Sequence, residues 1–270
     1  MACHTAGFLH LPNRSAKPRS AGITHVLDKG STLAATHELL RSVGDWIDIW
    51  KFGWGVAYVD PQLIEKLSAL RRAGVAACTG GTLLEIAWLQ GRVEAFFDFA
   101  SGAGFECVEV SNGATTLPLA EKRELIVRAR ARGFTVLAEA GSKDPAKSAR
   151  AEEWLDEMAG DLAAGATWLV AEGRESGTVG LYQSSGAIRE PLLRALKASP
   201  LAARIIFEAP QRQQQAELLR SLGNEVNLGN IALDDVMGLE TLRLGLRADT
   251  LGAFGVGQDL HRMENWHVRV

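Results

Sequence analysis

The chain has 270 residues, of which 47% are hydrophobic and 23% are charged, and its formal net charge is −3. This length and composition predict one globular domain with a large apolar core. A sequence pI near 6.1 gives no overall basic field, so we expect no nucleic acid partner. Any anionic ligand must then be held by a few local cations.

The first 22 residues contain no long apolar segment, because Pro, Arg and Lys interrupt their short hydrophobic patches. They predict neither a signal peptide nor a membrane partner, and we expect residues 1–22 to form a mobile arm. The 3 cysteines lie far apart, which fits neither a disulfide framework nor a CxxC zinc site. A reducing compartment, the cytoplasm, is therefore predicted.

Apolar runs rich in β-branched residues alternate with amphipathic segments along the rest of the chain. The runs cover residues 23–28, 46–51, 75–79, 105–110, 134–140, 166–172, 203–208 and 224–228. Such continuous apolar strands predict a parallel sheet covered on both faces, and in a chain of this length they favour a closed (β/α)₈ TIM barrel. We expect one catalytic domain over residues 23–255. A tail over residues 256–270 would cross the barrel bottom or contact a neighbouring subunit.

Polar and charged residues follow the predicted strands. In (β/α)₈ barrels the carboxyl ends of the strands carry the catalytic groups, whereas the opposite end serves stability. The rim predicted in this way contains Asp28, Lys29, Lys51, Gly80, Gly81, Thr82, Glu109, Ser111, Asn112, Glu139, Lys143, Glu172, Arg174, Glu175, Ser176, Glu208, Gln211, Asn227, Gly229 and Asn230. Its cations suit a phosphorylated or otherwise anionic substrate, and its carboxylates offer the hard oxygen ligands that Mg²⁺ prefers.

Histidine placement limits the chemistry further. None of the 6 histidines lies between residues 38 and 260. Zinc hydrolase sites, and Ser-His-Asp or Cys-His nucleophilic pairs, need imidazole on the rim, so both classes are disfavoured. Proton transfer then falls to a lysine or a carboxylate. His25, among apolar neighbours in the first strand, is expected to pack or to support the site.

Several rim side chains have both a functional and a structural interpretation. Lys51 could bind an anion or form an internal ion pair. Arg174 could hold a phosphate or carboxylate in a bidentate contact, or form an Arg–Glu network that shapes its own loop. Glu139, Glu172 and Glu208 close consecutive strands, so they could converge on one metal ion or only orient the lysines.

Two further groups have similar alternatives. The sequence GGT at residues 80–82 could present backbone N–H groups to an anion. Asn227, Gly229 and Asn230 are predicted at the end of the eighth strand, a frequent phosphate position in these barrels. Asn230 could instead cap the helix that follows.

The ordered motifs of the chain resemble those of a known family. DKG, KFGWG, GGTxxE, EVSNG, ExGxK, EGRESG, FEAPQxxQQ, VNLGNI and LETLRxGLRxDT occur in this order between Ile23 and Phe254. Over that range the chain is similar to the phosphosulfolactate synthase family of coenzyme M biosynthesis. The resemblance implies a (β/α)₈ carbon–sulfur lyase that uses Mg²⁺ to add sulfite to C3 of phosphoenolpyruvate, giving (2R)-phospho-3-sulfolactate. It also implies that Lys143 is the general acid at C2, although this lysine could instead only grip phosphate or sulfite.

These interpretations define the predicted site. Lys143, Lys51 and Arg174 are predicted to be catalytic, and Glu139, Glu172 and Glu208 to hold Mg²⁺. The predicted substrate contacts are Asp28, Lys29, Gly81, Thr82, Ser111, Asn112, Glu175, Ser176, Gln211, Asn227, Gly229 and Asn230. The expected partners are the small anions phosphoenolpyruvate and sulfite and a second copy of the chain. Trp88, Phe96 and Phe97 could line that homo-oligomer interface or cover the barrel.

Two other functions remain open. Asn112 stands where some family sequences have Asp, and Ser142 where some have a second Lys. The chain could therefore use phosphoenolpyruvate, or a related phosphorylated acid, with another nucleophile. It could also be a non-catalytic barrel kept for binding or for a stress-related interaction, although the charged rim favours an enzyme.

Overall fold

The computed structural model describes residues 8–141 and 150–255. Within them the strands are β1 (Thr24–Asp28), β2 (Ile49–Phe52), β3 (Ala76–Thr79), β4 (Cys107–Val110), β5 (Thr135–Ala140), β6 (Trp168–Ala171), β7 (Ile205–Glu208) and β8 (Asn227–Ala232). Neighbouring strands pair in parallel, and β8 pairs with β1, so the sheet closes. The predicted (β/α)₈ TIM barrel is confirmed. The predicted tail, residues 256–270, lies outside the described residues.

Helices cover the outside of this barrel. They are α1 (Leu33–Val43), α2 (Val56–Val59), α3 (Leu63–Arg72), α4 (Gly81–Leu89), α5 (Val93–Ala103), α6 (Leu119–Ala131), α7 (Ala151–Ala163), α8 (Glu190–Ala198), α9 (Arg212–Leu222) and α10 (Val236–Arg243). In α3, Leu63, Leu67 and Leu70 recur at helical spacing and are buried against the sheet. Among the residues described, no helix is both long and apolar enough to span a bilayer.

Aromatic residues of the outer helices belong to the core. Phe96 and Phe97 of α5 are buried, and Trp88 of α4 packs against the same cluster while its Nε1 donates to Glu121 at 2.7 Å. These three side chains therefore cover the barrel, which was one of their two predicted roles. The predicted homo-oligomer stays a prediction.

The barrel encloses a small apolar layer, formed by Ile23, Ile49, Cys78, Cys107, Leu137, Val170 and Ile206. Side chains two positions apart along a strand point to the same face of the sheet. The positions two residues after Ile49, Cys107, Leu137 and Ile206 therefore also face the barrel interior, closer to the carboxyl ends of the strands. Lys51, Glu109, Glu139 and Glu208 occupy these positions, and all are buried.

Residues 13–22 contact the amino-terminal end of the barrel, whereas Phe8 and Leu9 are exposed. Arg14 forms an ion pair with Glu240 at 3.0 Å, and Arg19 forms one with Asp48 at 3.1 Å. For these residues the structure replaces the expected mobile arm with a segment attached to the barrel.

Strand β8 differs most from its prediction. Asn227 begins the strand rather than ending it, and its Nδ2 donates to Ile205 O at 3.1 Å while its Oδ1 accepts the Ile23 N–H at 3.0 Å. Both contacts lie at the amino-terminal end of the barrel. Because the polar residues of VNLGN belong to the start and interior of the strand, the prediction that Asn227 contacts the substrate is wrong.

Candidate active site

The carboxyl ends of the strands surround a cavity of about 230 Å³. Its walls consist of Leu27, Lys51, Gly53, Trp54, Gly80, Gly81, Thr82, Glu109, Ala114, Glu139, Glu172, Arg174, Glu175, Glu208 and Asn230. The two described residues predicted to be catalytic and all three predicted metal ligands are in this set. Lys143, the third predicted catalytic residue, lies outside the described residues.

Lys51 places a buried positive charge in this cavity. Its Nζ lies 2.9 Å from Glu109 Oε2 and 3.2 Å from Glu208 Oε1, which confirms an internal ion pair. Burial alone would lower the pKa of Lys51, but the charges of Glu109, Glu208 and Glu139 hold that pKa well above its ordinary value. Lys51 is therefore an ammonium at neutral pH, which suits the attraction of an anion better than proton donation.

Three buried carboxylates converge beside this ammonium. Glu109, Glu139 and Glu208 each place an oxygen within 4.8 Å of the other two, and we refer to them as the carboxylate cluster. Burial raises the pKa of Glu109, an effect that Lys51 opposes. A set of carboxylate oxygens within reach of one another, without thiolate or imidazole, fits Mg²⁺. Two of the three predicted metal ligands, Glu139 and Glu208, thus belong to this set of oxygen donors.

Glu109 completes this cluster, although only its place on the rim was predicted. Its Oε1 accepts the Gly81 N–H at 2.9 Å, so the start of α4 fixes the carboxylate and Gly81 cannot offer that N–H to an anion at the same time. The signal that identifies Glu109 is a repeated two-residue step. Cys107–Glu109 matches Leu137–Glu139 in pairing an apolar interior residue with an acid.

Glu172 lies on the cavity wall immediately after β6, outside the carboxylate cluster. Its Oε1 accepts the N–H of Arg174 at 2.7 Å, so it helps to shape the loop that follows. The role of Glu172 as a metal ligand stays a prediction.

The loop between β6 and α8 carries Arg174, whose side chain is exposed. Glu208 Oε2 accepts the N–H groups of Gly173 at 2.9 Å and Arg174 at 3.0 Å. The other oxygen of the same carboxylate contacts Lys51. Glu208 therefore joins the buried ammonium to the backbone that positions the guanidinium.

Backbone strain is concentrated in the cavity wall. Trp54, Arg174 and Asn230 have φ values of 49°, 58° and 52°, and within residues 8–141 and 150–255 they are the non-glycine residues with positive φ. All three line the cavity. This left-handed conformation costs an L-residue roughly 1–2 kcal/mol, and such strain is typical of functional sites.

His25 supports the β8 side of the cavity from the barrel interior. Its Nδ1 accepts the Asn230 N–H at 3.4 Å, and burial, followed by the charge of Lys51, lowers the pKa of His25 well below its ordinary value. The imidazole is therefore neutral. A Cβ at Gly229 would lie 2.8 Å from His25 Nδ1, so glycine makes room for the ring. Gly229 supports the site in this way, and it is not part of the cavity wall.

Two predicted substrate contacts brace loops instead. Asp28 accepts the Gly30 N–H at 2.8 Å and Trp50 Nε1 at 3.1 Å, so it closes the turn after β1. Ser111 donates to the buried carboxylate of Glu85. Neither side chain lines the cavity.

The remaining predicted contacts divide between the wall and its surroundings. Thr82, Glu175 and Asn230 line the cavity with Gly81. Gln211 caps α9 and donates from Nε2 to Ser176 O at 2.6 Å, so these two residues stabilise the Arg174 loop from outside the wall. Lys29 and Asn112 also lie outside it.

Comparison with known proteins adds the family. The model of the (2R)-phospho-3-sulfolactate synthase family (ComA) matches residues 12–249. The chain belongs to the phosphosulfolactate synthase family. It is 43% identical over 246 residues to the phosphosulfolactate synthase of Methanothermobacter thermautotrophicus, covering 89% of this chain and 95% of that protein. The Bacillus subtilis phosphosulfolactate synthase is 39% identical over 246 residues, covering 90% and 97%.

Phosphosulfolactate synthases are enzymes, so this family member is an enzyme. The family match extends over all of the strands and the cavity. Among solved structures, 3-hexulose-6-phosphate synthase from Salmonella typhimurium has a TM-score of 0.51 at 16% identity, covering 85% of this chain and 93% of that chain. The carboxyl transferase domain of Rhizobium etli pyruvate carboxylase has a TM-score of 0.53 at 15% identity, covering 80% and 40%. At these identities the likeness concerns the fold alone.

Proposed function

We propose that this enzyme adds sulfite to C3 of phosphoenolpyruvate, with Mg²⁺, and protonates C2 to give (2R)-phospho-3-sulfolactate. The observation that supports this most directly is the carboxylate cluster around Lys51 in a member of the phosphosulfolactate synthase family. A cation site of oxygen donors beside a fixed ammonium suits a small substrate that carries a carboxylate and a phosphate.

The reaction places charge where this site can stabilise it. A lone pair on sulfur forms the new bond to C3, and the C2–C3 π electrons move toward the carboxylate, which becomes an enediolate. A proton then adds to C2, and the phosphate ester remains intact. No oxidant or leaving group is needed. The largest catalytic effect required is therefore stabilisation of negative charge on the carboxylate oxygens.

The chain offers a role for each charged group. Glu109, Glu139 and Glu208 would hold Mg²⁺, which when bound supplies positive charge for the enediolate oxygens. Lys51 would add a fixed ammonium beside the same oxygens. Arg174, on the cavity wall, would bind the phosphate or the carboxylate through its planar guanidinium.

The proton donor is assigned to Lys143. The family resemblance implies this role, and it is consistent with the described residues of the cavity. Lys51 has a raised pKa and two carboxylate partners, so it releases a proton poorly at neutral pH. His25 is neutral and is not part of the cavity wall.

The test is a reaction of the purified enzyme with phosphoenolpyruvate, sulfite and Mg²⁺, followed by mass spectrometry. We expect a product with the mass of phosphosulfolactate that depends on all three components. Lys51→Met, prepared in the same way, controls for contaminating activity. If phosphoenolpyruvate binds but sulfite gives no product, the reaction assigned here is wrong, and a panel of other nucleophiles would then test the diverged alternative.

A further inference from the structure

One buried amide holds the loop that carries Arg174. Gln214 of α9 is 1% exposed, and its Nε2 donates to Gly177 O at 2.7 Å and to Gly186 O at 3.0 Å. Its Oε1 accepts the Gln211 N–H at 3.3 Å, which closes the capping box of the helix. A single carboxamide thus joins two separate turns of the β6–α8 loop to the first turn of α9.

The same loop is held at its beginning by Glu208, which accepts the N–H groups of Gly173 and Arg174. Between these two attachments, Arg174 has a φ of 58°, a conformation that a non-glycine residue keeps only when its surroundings impose it. The Arg174 N–H donates to Glu172 Oε1 at 2.7 Å and to Glu208 Oε2 at 3.0 Å, and Gln214 holds the loop again at Gly177 O. Gln214 itself is not part of the cavity wall.

We propose that Gln214 is a positioning residue for Arg174: by fixing the turns at Gly177 and Gly186, it keeps the guanidinium where it can meet an anionic group of the substrate. The inference rests on the proposed function, in which Arg174 binds the phosphate or carboxylate of phosphoenolpyruvate. Gln214 acts through the loop and touches no reacting atom.

The first test is Gln214→Met, which keeps the length of the side chain and the propensity for helix but removes both donated hydrogen bonds and the one accepted from the Gln211 N–H. We expect kcat/KM for phosphoenolpyruvate to fall about 10–100-fold, mainly through a higher KM, because a displaced binding group costs that much without touching the chemistry. Raising the phosphoenolpyruvate concentration should restore most of the rate.

Gln215→Met is the matched control. Gln215 is the next residue of α9 and is also 1% exposed, and its Nε2 donates to Ala209 O at 3.2 Å, outside the loop. Gln215→Met removes this one bond, so we expect a smaller loss of thermal stability than in Gln214→Met. Its kcat/KM should stay within about threefold of wild type, because no contact to the loop is lost. Equal kinetic losses in the Gln214 and Gln215 variants would overturn the proposal.

A double-mutant cycle identifies the residue through which Gln214 acts. Arg174→Lys keeps the charge but loses the bidentate contact, so it should raise KM on its own. If Gln214 acts through Arg174, Gln214→Met should add little to kcat/KM in the Arg174→Lys background. Fully additive losses would contradict this mechanism.

A measurement without turnover separates this proposal from the proposed function. Hydrogen–deuterium exchange of the substrate-free protein should be faster over residues 173–188 in Gln214→Met and unchanged there in Gln215→Met. Calorimetry with phosphoenolpyruvate should show weaker binding only in Gln214→Met. If wild type makes no product from sulfite, the proposed function fails. Exchange and calorimetry do not require turnover, so they still decide the role of Gln214. Exchange and binding equal to those of the Gln215 variant would refute that role.

Discussion

At the scale of single residues, the lysine in the cavity compensates for acids that could not otherwise be buried together. Lys51 is only 4% exposed, and its two closest acids, Glu109 and Glu208, are 3% and 1% exposed. Its raised pKa means that the folded protein holds the lysine proton more tightly than the unfolded chain does. This contribution to stability is present below the lysine pKa of the unfolded chain, about 10.4, and is lost only as the pH rises through the higher pKa of the folded state.

Replacing Lys51 with Met should abolish turnover and change the pH dependence of stability. Glu109 and Glu208 would lose their cation, and the pKa of Glu109 should rise further because Lys51 would no longer oppose the effect of burial. A raised carboxyl pKa stabilises the folded state as the pH falls. We therefore expect the variant to gain stability relative to wild type between about pH 8 and pH 5.

Urea unfolding at several pH values, with EDTA present, measures this difference for Lys51→Met. The double variant Lys51→Met/Glu109→Gln should recover part of the stability at pH 8, because one uncompensated carboxylate is gone. Parallel pH curves for wild type and Lys51→Met would show that the ion pair does not compensate these acids.

The general acid can be tested by comparing two lysines in the same segment of the chain. Lys143→Ala should reduce kcat by more than about a thousandfold with little change in phosphoenolpyruvate binding, because an acid acts in the transition state. Lys147→Ala, four residues further on, is the control and should retain activity. Steady-state kinetics and calorimetry on both variants measure this. A kcat of Lys143→Ala within about tenfold of wild type would exclude the assignment.

At the scale of elements, the first seven strands were predicted well because they are continuous apolar runs bounded by polar residues. Strand β8 was not, because its first residue and one interior residue serve other strands. Asn227 bonds to the starts of neighbouring strands, and Gly229 leaves room for His25. Sequence periodicity does not show that an amide will bond to a residue far away in the chain, or that a glycine will make room for one.

The sequence predicts which residues follow each strand, and therefore which residues lie on the rim of the barrel. Membership of the rim follows from the order of the strands, so Lys51, Arg174 and Glu208 were found. Which acids meet depends on strand register and on the two-residue alternation inside the barrel, and so Glu109 was left out of the cluster. Asp28 and Ser111 reach backbone and side-chain partners near their own strands, which rim position alone does not show.

A second buried ion cluster ties helices to the strand that carries Glu139. Lys122 of α6 is fully buried, and its Nζ donates to Glu157, Asp161 and the carbonyl of Glu139 at 2.6 Å each. Burial raises the pKa values of Glu157 and Asp161, and the charge of Lys122 opposes that effect. Lys122 is the cation that bonds to both acids.

Lys122→Met should destabilise the fold by about 3–5 kcal/mol at pH 7, because it leaves buried carboxylates without that cation. The loss should be smaller at pH 5, where carboxylates with raised pKa values begin to bind protons. Arg123→Met is the control from the same helix. Arg123 is 37% exposed and lies 3.7 Å from Asp161, so its loss should cost less than about 1 kcal/mol. Urea unfolding of both variants measures the difference, and equal losses would contradict the prediction.

At the scale of the whole molecule, the two ends of the barrel have different tasks. The amino-terminal end is closed by Arg14, Arg19 and the buried Arg243, whose Nη1 donates to Val226 O at 2.8 Å. The carboxyl end holds the cavity, its buried charges and its strained backbone. The contacts at the amino-terminal end therefore stabilise the fold without taking part in the site, as is usual in these barrels.

Metal binding should be visible as a change in global stability. If the carboxylate cluster binds Mg²⁺, adding the ion at about 100 times its Kd should stabilise the fold by about 2.7 kcal/mol, and EDTA should reverse this. Thermal unfolding with increasing Mg²⁺ measures it. Glu109→Gln should reduce the shift, whereas Glu106→Gln, just before the same strand at the opposite end, should preserve it. No shift in wild type would contradict metal binding at the cluster.

The positive φ values of the cavity wall cost stability, so at these positions the residue best for binding is not the one that the backbone conformation favours. Arg174→Gly should unfold at the same or a slightly higher temperature than wild type, because relief of roughly 1–2 kcal/mol offsets the entropy of glycine in the unfolded chain, about 0.5–1 kcal/mol. The same variant should bind phosphoenolpyruvate far more weakly. A clear fall in melting temperature would show that the conformation is not strained. A lineage released from selection for this activity would be expected to drift toward glycine at positions 54, 174 and 230, which would mark descendants that have kept the barrel and lost the chemistry.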